Sequence, residues 1–235
     1  MRVYTEDTEN AEGTEKKNDD ESSRMTAGKS ELRVGAYILA GGGSTRFGRD
    51  KALVEVDGLP MLGRMIALVR SVAENVKVVG APEKYAQFER EMVSDRWPGE
   101  GPLGGIVTAL EDATKSATEC EWNLILSCDM PFLTQEWMNF LCERAAKSEA
   151  QVVVPYSAHG PEPLCACYRT DAAGALRAAV ESGVRKVTLG LQHVTTEVLD
   201  EADWKRFDSA GRLFWNMNTA ADYEEARRIL EAERR

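Results

Sequence analysis

From Val34 onward, short apolar runs alternate with helical patterns, and this alternation narrows the fold more than any other feature of the chain. Strands are expected at 36–40, 76–79, 122–127, 151–155 and 164–168. Helices are expected at 60–72, 103–114, 134–147, 171–182 and 220–233. Pro60 suits a first helical turn, after which Met61, Leu62, Met65, Ile66, Val69 and Val72 recur at helical spacing. Thr134 and Asp171 read as N-caps. Strands that alternate with helices imply a mostly parallel sheet covered on both faces. Ligands then bind beyond the carboxyl ends of the strands.

Composition sets the outer limits. An apolar share of 43% over 235 residues supports a real core and one α/β domain, expected over 34–235. The first 33 residues are rich in Glu, Asp, Ser, Thr and Asn. They cannot bury enough surface to offset their ordering entropy, so they read as a disordered acidic tail. An alternative is a true start further in, at Met25. No run approaches the ~20 apolar residues of a membrane span, and the N-terminus has no apolar core of a secretory signal. Five cysteines without a CxxC pair suggest reduced thiols and a cytoplasmic location. The formal charge of −10 argues against a nucleic-acid partner but leaves room for a local cationic pocket.

That pocket is expected at "LAGGGSTRFGRDKA", Leu39 to Ala52. Three glycines follow the first apolar run, then Arg46, Arg49 and Lys51. It is not a P-loop, because Arg49 rather than lysine follows Gly48. It is not a dinucleotide fingerprint, because Arg46 stands where the third glycine belongs. Bare backbone and clustered cations still suit phosphate: Arg46 by a bidentate grip, Lys51 as a movable point charge. The plain alternative is a tight strand-to-helix connection with solvated cations.

Two further stretches converge on the same place. In "LILSCDMPFL", Asp129 sits between an apolar strand and Pro131, so it falls at the strand's carboxyl end. A carboxylate there can hold Mg²⁺, or serve only as a turn residue. "WPGEGPLGGI", Trp97 to Ile106, reads as a rigid loop whose backbone could read a base, or as a structural turn. Nearer the C-terminus, Arg185 and Lys186 suit a phosphate or simply end a helix. Asn216 and Asn218 either point one way from an extended strand or cap the last helix.

LAGGGSTRFGRDK, GPLGG, CDMPFL and FWNMNTAADY, in that order, resemble the molybdenum cofactor guanylyltransferases, the MobA family. The resemblance covers about Val34 to Leu230. It implies a Rossmann-like three-layer α/β/α nucleotidyltransferase fold with a mostly parallel sheet. It implies transfer of GMP from GTP to the phosphate of molybdopterin, with Mg²⁺ as cofactor and pyrophosphate released. By the family's pattern Leu39, Ala40, Gly41, Gly42, Gly43, Lys51, Asp95, Gly101, Pro102, Leu103 and Asp129 contact nucleotide. Asp129 also carries the metal. Arg46, Lys51 and Asp129 do the chemistry, and Arg185, Lys186, Asn216 and Asn218 flank the pterin. Transient contact with molybdoenzymes or their chaperones is implied as well, and no membrane partner.

Three departures stand out. Phe47 replaces a frequent Met, a common asparagine after the second strand is replaced near Gly80, and "PGEGPLGG" is two residues longer than a PGPL form. Rival readings are a CTP-dependent cytidylyltransferase acting on the same pterin, another small-molecule nucleotidyltransferase, and a non-catalytic nucleotide-binding module. LAGG, Asp50-Lys51 and GPL favour guanine over cytosine.

Overall fold

The computed structural model describes residues 33–41, 50–88, 90–116 and 120–233. The expectations for the N-terminal tail and for Gly42, Gly43, Arg46, Phe47 and Arg49 fall outside that set. Ten strands are described: β1 Val34–Ala40, β2 Glu55–Val56, β3 Leu59–Pro60, β4 Asn75–Gly80, β5 Glu91–Ser94, β6 Trp122–Ser127, β7 Val152–Ser157, β8 Gly160–Pro161, β9 Cys165–Arg169 and β10 Thr196–Leu199. The α-helices are α1 Met61–Val69, α2 Pro82–Tyr85, α3 Gly101–Ala113, α4 Gln135–Ala145, α5 Ala173–Glu181, α6 Val187–Gly190, α7 Glu201–Trp204 and α8 Ala220–Glu233.

The main sheet runs β10-β7-β9-β6-β1-β4-β5, with β8 paired to β7. β1 lies parallel to β4 and β6, β4 to β5, and β7 to β10. On this path β9 alone is antiparallel, to both β6 and β7. Every residue of β1 is buried, as a central strand covered on both faces requires. Its side chains alternate between two cores. Ala36 and Ile38 join the cluster of Met65, Trp137 and Leu141 from α1 and α4, whereas Tyr37 and Leu39 join that of Ile106, Leu110 and Leu176 from α3 and α5. The three-layer architecture follows from this split.

Each of the five expected strands and five expected helices has a counterpart; β6 and α8 match at both ends and the others are shifted. Pro60 stands at the N-cap of α1 rather than inside it, and Thr134 caps α4 by accepting from the Trp137 amide at 3.2 Å. Asp171 does not cap α5. Its carboxylate is taken by Arg169, 2.5 Å from Nη2, and Ala172 holds the cap position. β5 and β10 were not expected from the sequence. They are four-residue edge strands, each with a single buried residue, too short and too polar to show a period. The GPL stretch is also not a loop: Gly101 and Pro102 open α3, and the loop proper ends at Glu100. Proline in a first turn costs no hydrogen bond. Gly99 at φ 85° and Gly101 at φ 70° supply the left-handed turn that swings the chain into the helix.

Candidate active site

The parallel register brings the ends of four strands together at the carboxyl edge of the sheet. Leu39 pairs with Ser127, Ala40 with Gly80, and Gly80 with Ser94. Beyond this edge opens a cleft of about 700 Å³, lined by Leu39, Ala40, Gly41, Asp50, Asp95 and Pro102. That volume falls within the ~300–1000 Å³ typical of small-molecule sites. Much of the wall is main chain or small side chains. Gly80 is small by necessity, because a Cβ there would stand 2.6 Å from the Ala40 carbonyl oxygen. No larger side chain has room at this position.

Asp95 directly follows β5 and is held rigidly. Its Oδ1 accepts from the Trp97 amide at 2.9 Å and from the Thr108 hydroxyl at 3.2 Å. Asp50 caps the 3-10 turn that begins at Lys51: Oδ1 accepts from the Ala52 amide at 3.1 Å, and Oδ2 from the Tyr85 hydroxyl at 2.9 Å. Burial, then this bond to Asp50, holds the Tyr85 phenol well above its usual range, so it donates as a neutral group. This cap fixes where Lys51 leaves the backbone.

Lys51 is the hub. Its ammonium lies 3.3 Å from Asp129 Oδ2 and donates to Asn218 Oδ1 at 2.8 Å. Asp129 is steadied on its other side by the Ser127 hydroxyl, which donates to Oδ1 at 2.6 Å. Its backbone carbonyl accepts from the Met217 amide at 2.9 Å, tying the C-terminal segment to this corner. That segment is pinned by Asp222, whose Oδ2 accepts from the amides of Asn218 and Thr219 at 2.8 Å each. Although desolvation works against it, these amides hold the Asp222 carboxyl below the usual range. Asn218 and Asn216 therefore sit in the turn before α8 and not on a strand. Asn216 donates to the Phe214 carbonyl at 3.1 Å.

A second cleft of about 1020 Å³ opens beside Asn216 and Asn218, walled by His159, Glu162, Trp204 and Trp215. Leu164 lines the first cleft and Glu162 the second, so the Glu162–Leu164 stretch contributes to both walls. The Leu164 carbonyl accepts from the Ser127 amide at 2.9 Å.

The structure thus brings together Leu39, Ala40, Gly41, Asp95, Gly101 and Pro102 at one cleft. It joins Lys51, Asp129 and Asn218 in one network. Leu103 is fully buried in α3 and supports the cleft from behind. Arg185 and Lys186 are not brought to either cleft. Arg185 donates to the carbonyls of Val180 and Val184 at 3.0 and 3.2 Å, closing the C-terminal end of α5, and pairs with Glu100. Lys186 takes the N-cap position of α6. Sequence reasoning missed the roles of Ser127, Tyr85 and Thr108, and no local signal marks a lone hydroxyl as a support.

The described residues contain no group of three or more His, Cys, Asp or Glu side chains that could cage a metal. The donor chemistry still suits a hard divalent cation, since Asp129 offers carboxylate oxygens next to Ser127 on the wall of the first cleft. Such a cation takes one or two carboxylates and completes its shell with water and substrate phosphates. Both Asp129 oxygens keep lone pairs beyond the bonds to Ser127 and Lys51.

A mostly parallel sheet with a cleft at its carboxyl edge and a lysine–aspartate pair close by fits a nucleotidyltransferase. Residues 36–195 match the family model described as the MobA-like NTP transferase domain, and the chain belongs to that family. A probable molybdenum cofactor guanylyltransferase of Trichormus variabilis is 36% identical over 171 residues, 70% of this chain and 79% of its own. One from Bacillus cereus is 30% identical over 208 residues, covering 83% of this chain and 96% of its own. The crystal structure of molybdopterin-guanine dinucleotide biosynthesis protein A from Archaeoglobus fulgidus superposes with a TM-score of 0.71 at 26% identity. That match covers 85% of this chain and all of the other.

Proposed function

We propose that this enzyme transfers GMP from GTP to the terminal phosphate of molybdopterin, forming the guanine dinucleotide cofactor and releasing pyrophosphate. The observation that carries the reading is the position of Lys51. It is bonded to Asp129, which is steadied by Ser127 on the wall of the first cleft, and to Asn218 on the wall of the second, so one cation links the two substrate-sized spaces.

An oxygen of the acceptor phosphate forms a bond to the α-phosphorus of GTP. The bond from that phosphorus to the bridging oxygen breaks, and its electron pair leaves with pyrophosphate. The nucleophile is already an anion, so no strong base is needed. Neither histidine belongs to the Lys51 network: His159 lines the second cleft and His193 ends a 3-10 turn after α6. The work is positioning and charge stabilisation. Lys51, held by Asp129 and Asn218, offsets phosphate charge as the leaving group departs. Asp95 and the main chain at Gly41 and Gly101 hold the nucleoside. Asp129 would hold the divalent cation, Mg²⁺ in this reading, whose charge when bound offsets that of the phosphate oxygens.

The test is pyrophosphate release with Mg²⁺, molybdopterin and each of GTP, CTP, ATP and UTP. Turnover with GTP alone is expected. Turnover with CTP instead would change the product assigned here, and none with any nucleotide would defeat the reading. The companion readout is thermal stabilisation by GTP, since a ligand bound only to the folded state adds about 2.7 kcal/mol at 100 times its dissociation constant.

A further inference from the structure

The second cleft contains several carboxylates, and all but one are committed to its own walls. Asp208 Oδ1 accepts from the amides of Arg212 and Leu213 at 2.6 and 3.1 Å. Asp222 is used by Asn218 and Thr219. Asp200 caps α7 through the Ala202 amide at 2.8 Å, and Glu201 pairs with Lys205 at 3.1 Å. Glu162 differs. Its Oε1 accepts from one neutral hydroxyl, Ser157 Oγ, at 2.7 Å. Among the described residues it has no ion-pair partner within 4.0 Å.

Glu162 is also held in place. Its amide donates to the Pro155 carbonyl at 2.9 Å and its carbonyl accepts from the Cys165 amide at 3.0 Å, which ties it to β7 and β9. Ser157 is 8% exposed and accepts from the His159 amide at 3.0 Å, so the hydroxyl that aims the carboxylate is itself fixed. Burial pushes the Glu162 carboxyl above its ordinary value, against the Ser157 bond and the nearby His159. A rigid, partly desolvated carboxylate with one neutral partner lacks N–H donors. The same cleft is walled by the half-buried ring of Trp215, which suits a flat heterocycle, and by Asn218 on the Lys51 network.

We infer that Glu162 reads the ring edge of the acceptor, its two oxygens accepting from the adjacent ring N–H and exocyclic 2-amino group of a 2-amino-4-oxopyrimidine. This makes Glu162 a specificity-determining residue of the acceptor cleft. It rests on the acceptor being a pterin, as proposed above.

The test compares the intact protein with Glu162→Gln, which keeps the shape and removes the charge. In Glu162→Gln the KM for molybdopterin should rise about 10- to 100-fold, the loss expected for charge-assisted hydrogen bonds, while kcat and the KM for GTP stay within about twofold. In the wild type, 6-hydroxymethylpterin should inhibit against the acceptor about tenfold better than 6-hydroxymethyllumazine, whose 2-oxo group cannot donate. That preference should vanish in Glu162→Gln. A wild type that turns over molybdopterin but shows no pterin-over-lumazine preference would overturn the inference alone. So would a variant with an unchanged KM. A wild type that releases no pyrophosphate with GTP and molybdopterin would defeat the functional reading, and this inference with it.

Discussion

The two clefts are built from different material. The first cleft is lined largely by glycines, prolines and other small residues at the ends of β1, β4 and β5 and the start of α3, with α2 closing one side. The neighbouring cleft is lined by large and polar side chains from β7, α7 and the turn before α8. A parallel sheet delivers the first cleft almost automatically, because its strands end in one row and its helices start there. Nothing in the sheet dictates the second. It is packed from two separate chain segments, 156–162 and 198–222, and so it is where relatives of one fold can differ in acceptor. The Lys51–Asp129–Asn218 network is the seam between them.

The largest effect is expected at that seam. Asp129→Ala should lower kcat by roughly a thousandfold or more while the melting temperature and circular dichroism stay near wild type. Near-normal turnover would remove Asp129 from both metal holding and catalysis. Lys51→Ala should lower kcat on the order of 100-fold in the same pyrophosphate assay, the loss of one preorganised charge-stabilising donor. If only a few-fold is lost, Lys51 is a surface cation and the two clefts are not linked through it.

A third test separates the clefts. Gly80→Ala places a methyl 2.6 Å from the Ala40 carbonyl and should cost about 1–3 kcal/mol of unfolding free energy. It should also weaken GTP binding with little change in the KM for the acceptor. Equal damage to both constants, measured by steady-state kinetics, would mean that the clefts move as one.

The smallest effect concerns the strand behind both walls. Cys165 of β9 is buried and its thiol is pushed up to about 12 by desolvation, against a lowering bond from the Trp137 indole. The folded-state value is raised, so the fold favours the protonated thiol. Its contribution is complete below the ordinary value of 9.0 and is lost as pH rises from there towards about 12. The slope is about 1.4 kcal/mol per pH unit for one group. Buried Cys128 and Cys167, shifted the same way mainly by desolvation, steepen it. Urea midpoints from pH 8 upward should fall, and less steeply in Cys165→Ala. A flat profile would mean that water reaches β9.

The β-α alternation and the placement of Asp129 just beyond β6 were legible because each is local. An apolar run, a proline or a glycine acts on its immediate neighbours, and a central strand buried on both faces has little freedom in composition. The same local chemistry missed the edge strands β5 and β10, which carry few buried residues. It left Asn216 and Asn218 open between a strand and a cap, because one backbone serves either. Tertiary structure alone decided that Asn218 meets a lysine 167 positions away, that Arg185 closes a helix, and that Ser127 steadies Asp129. Those are contacts between side chains whose sequence neighbourhoods carry no record of each other. They form only when the sheet's register brings distant chain segments within hydrogen-bond reach.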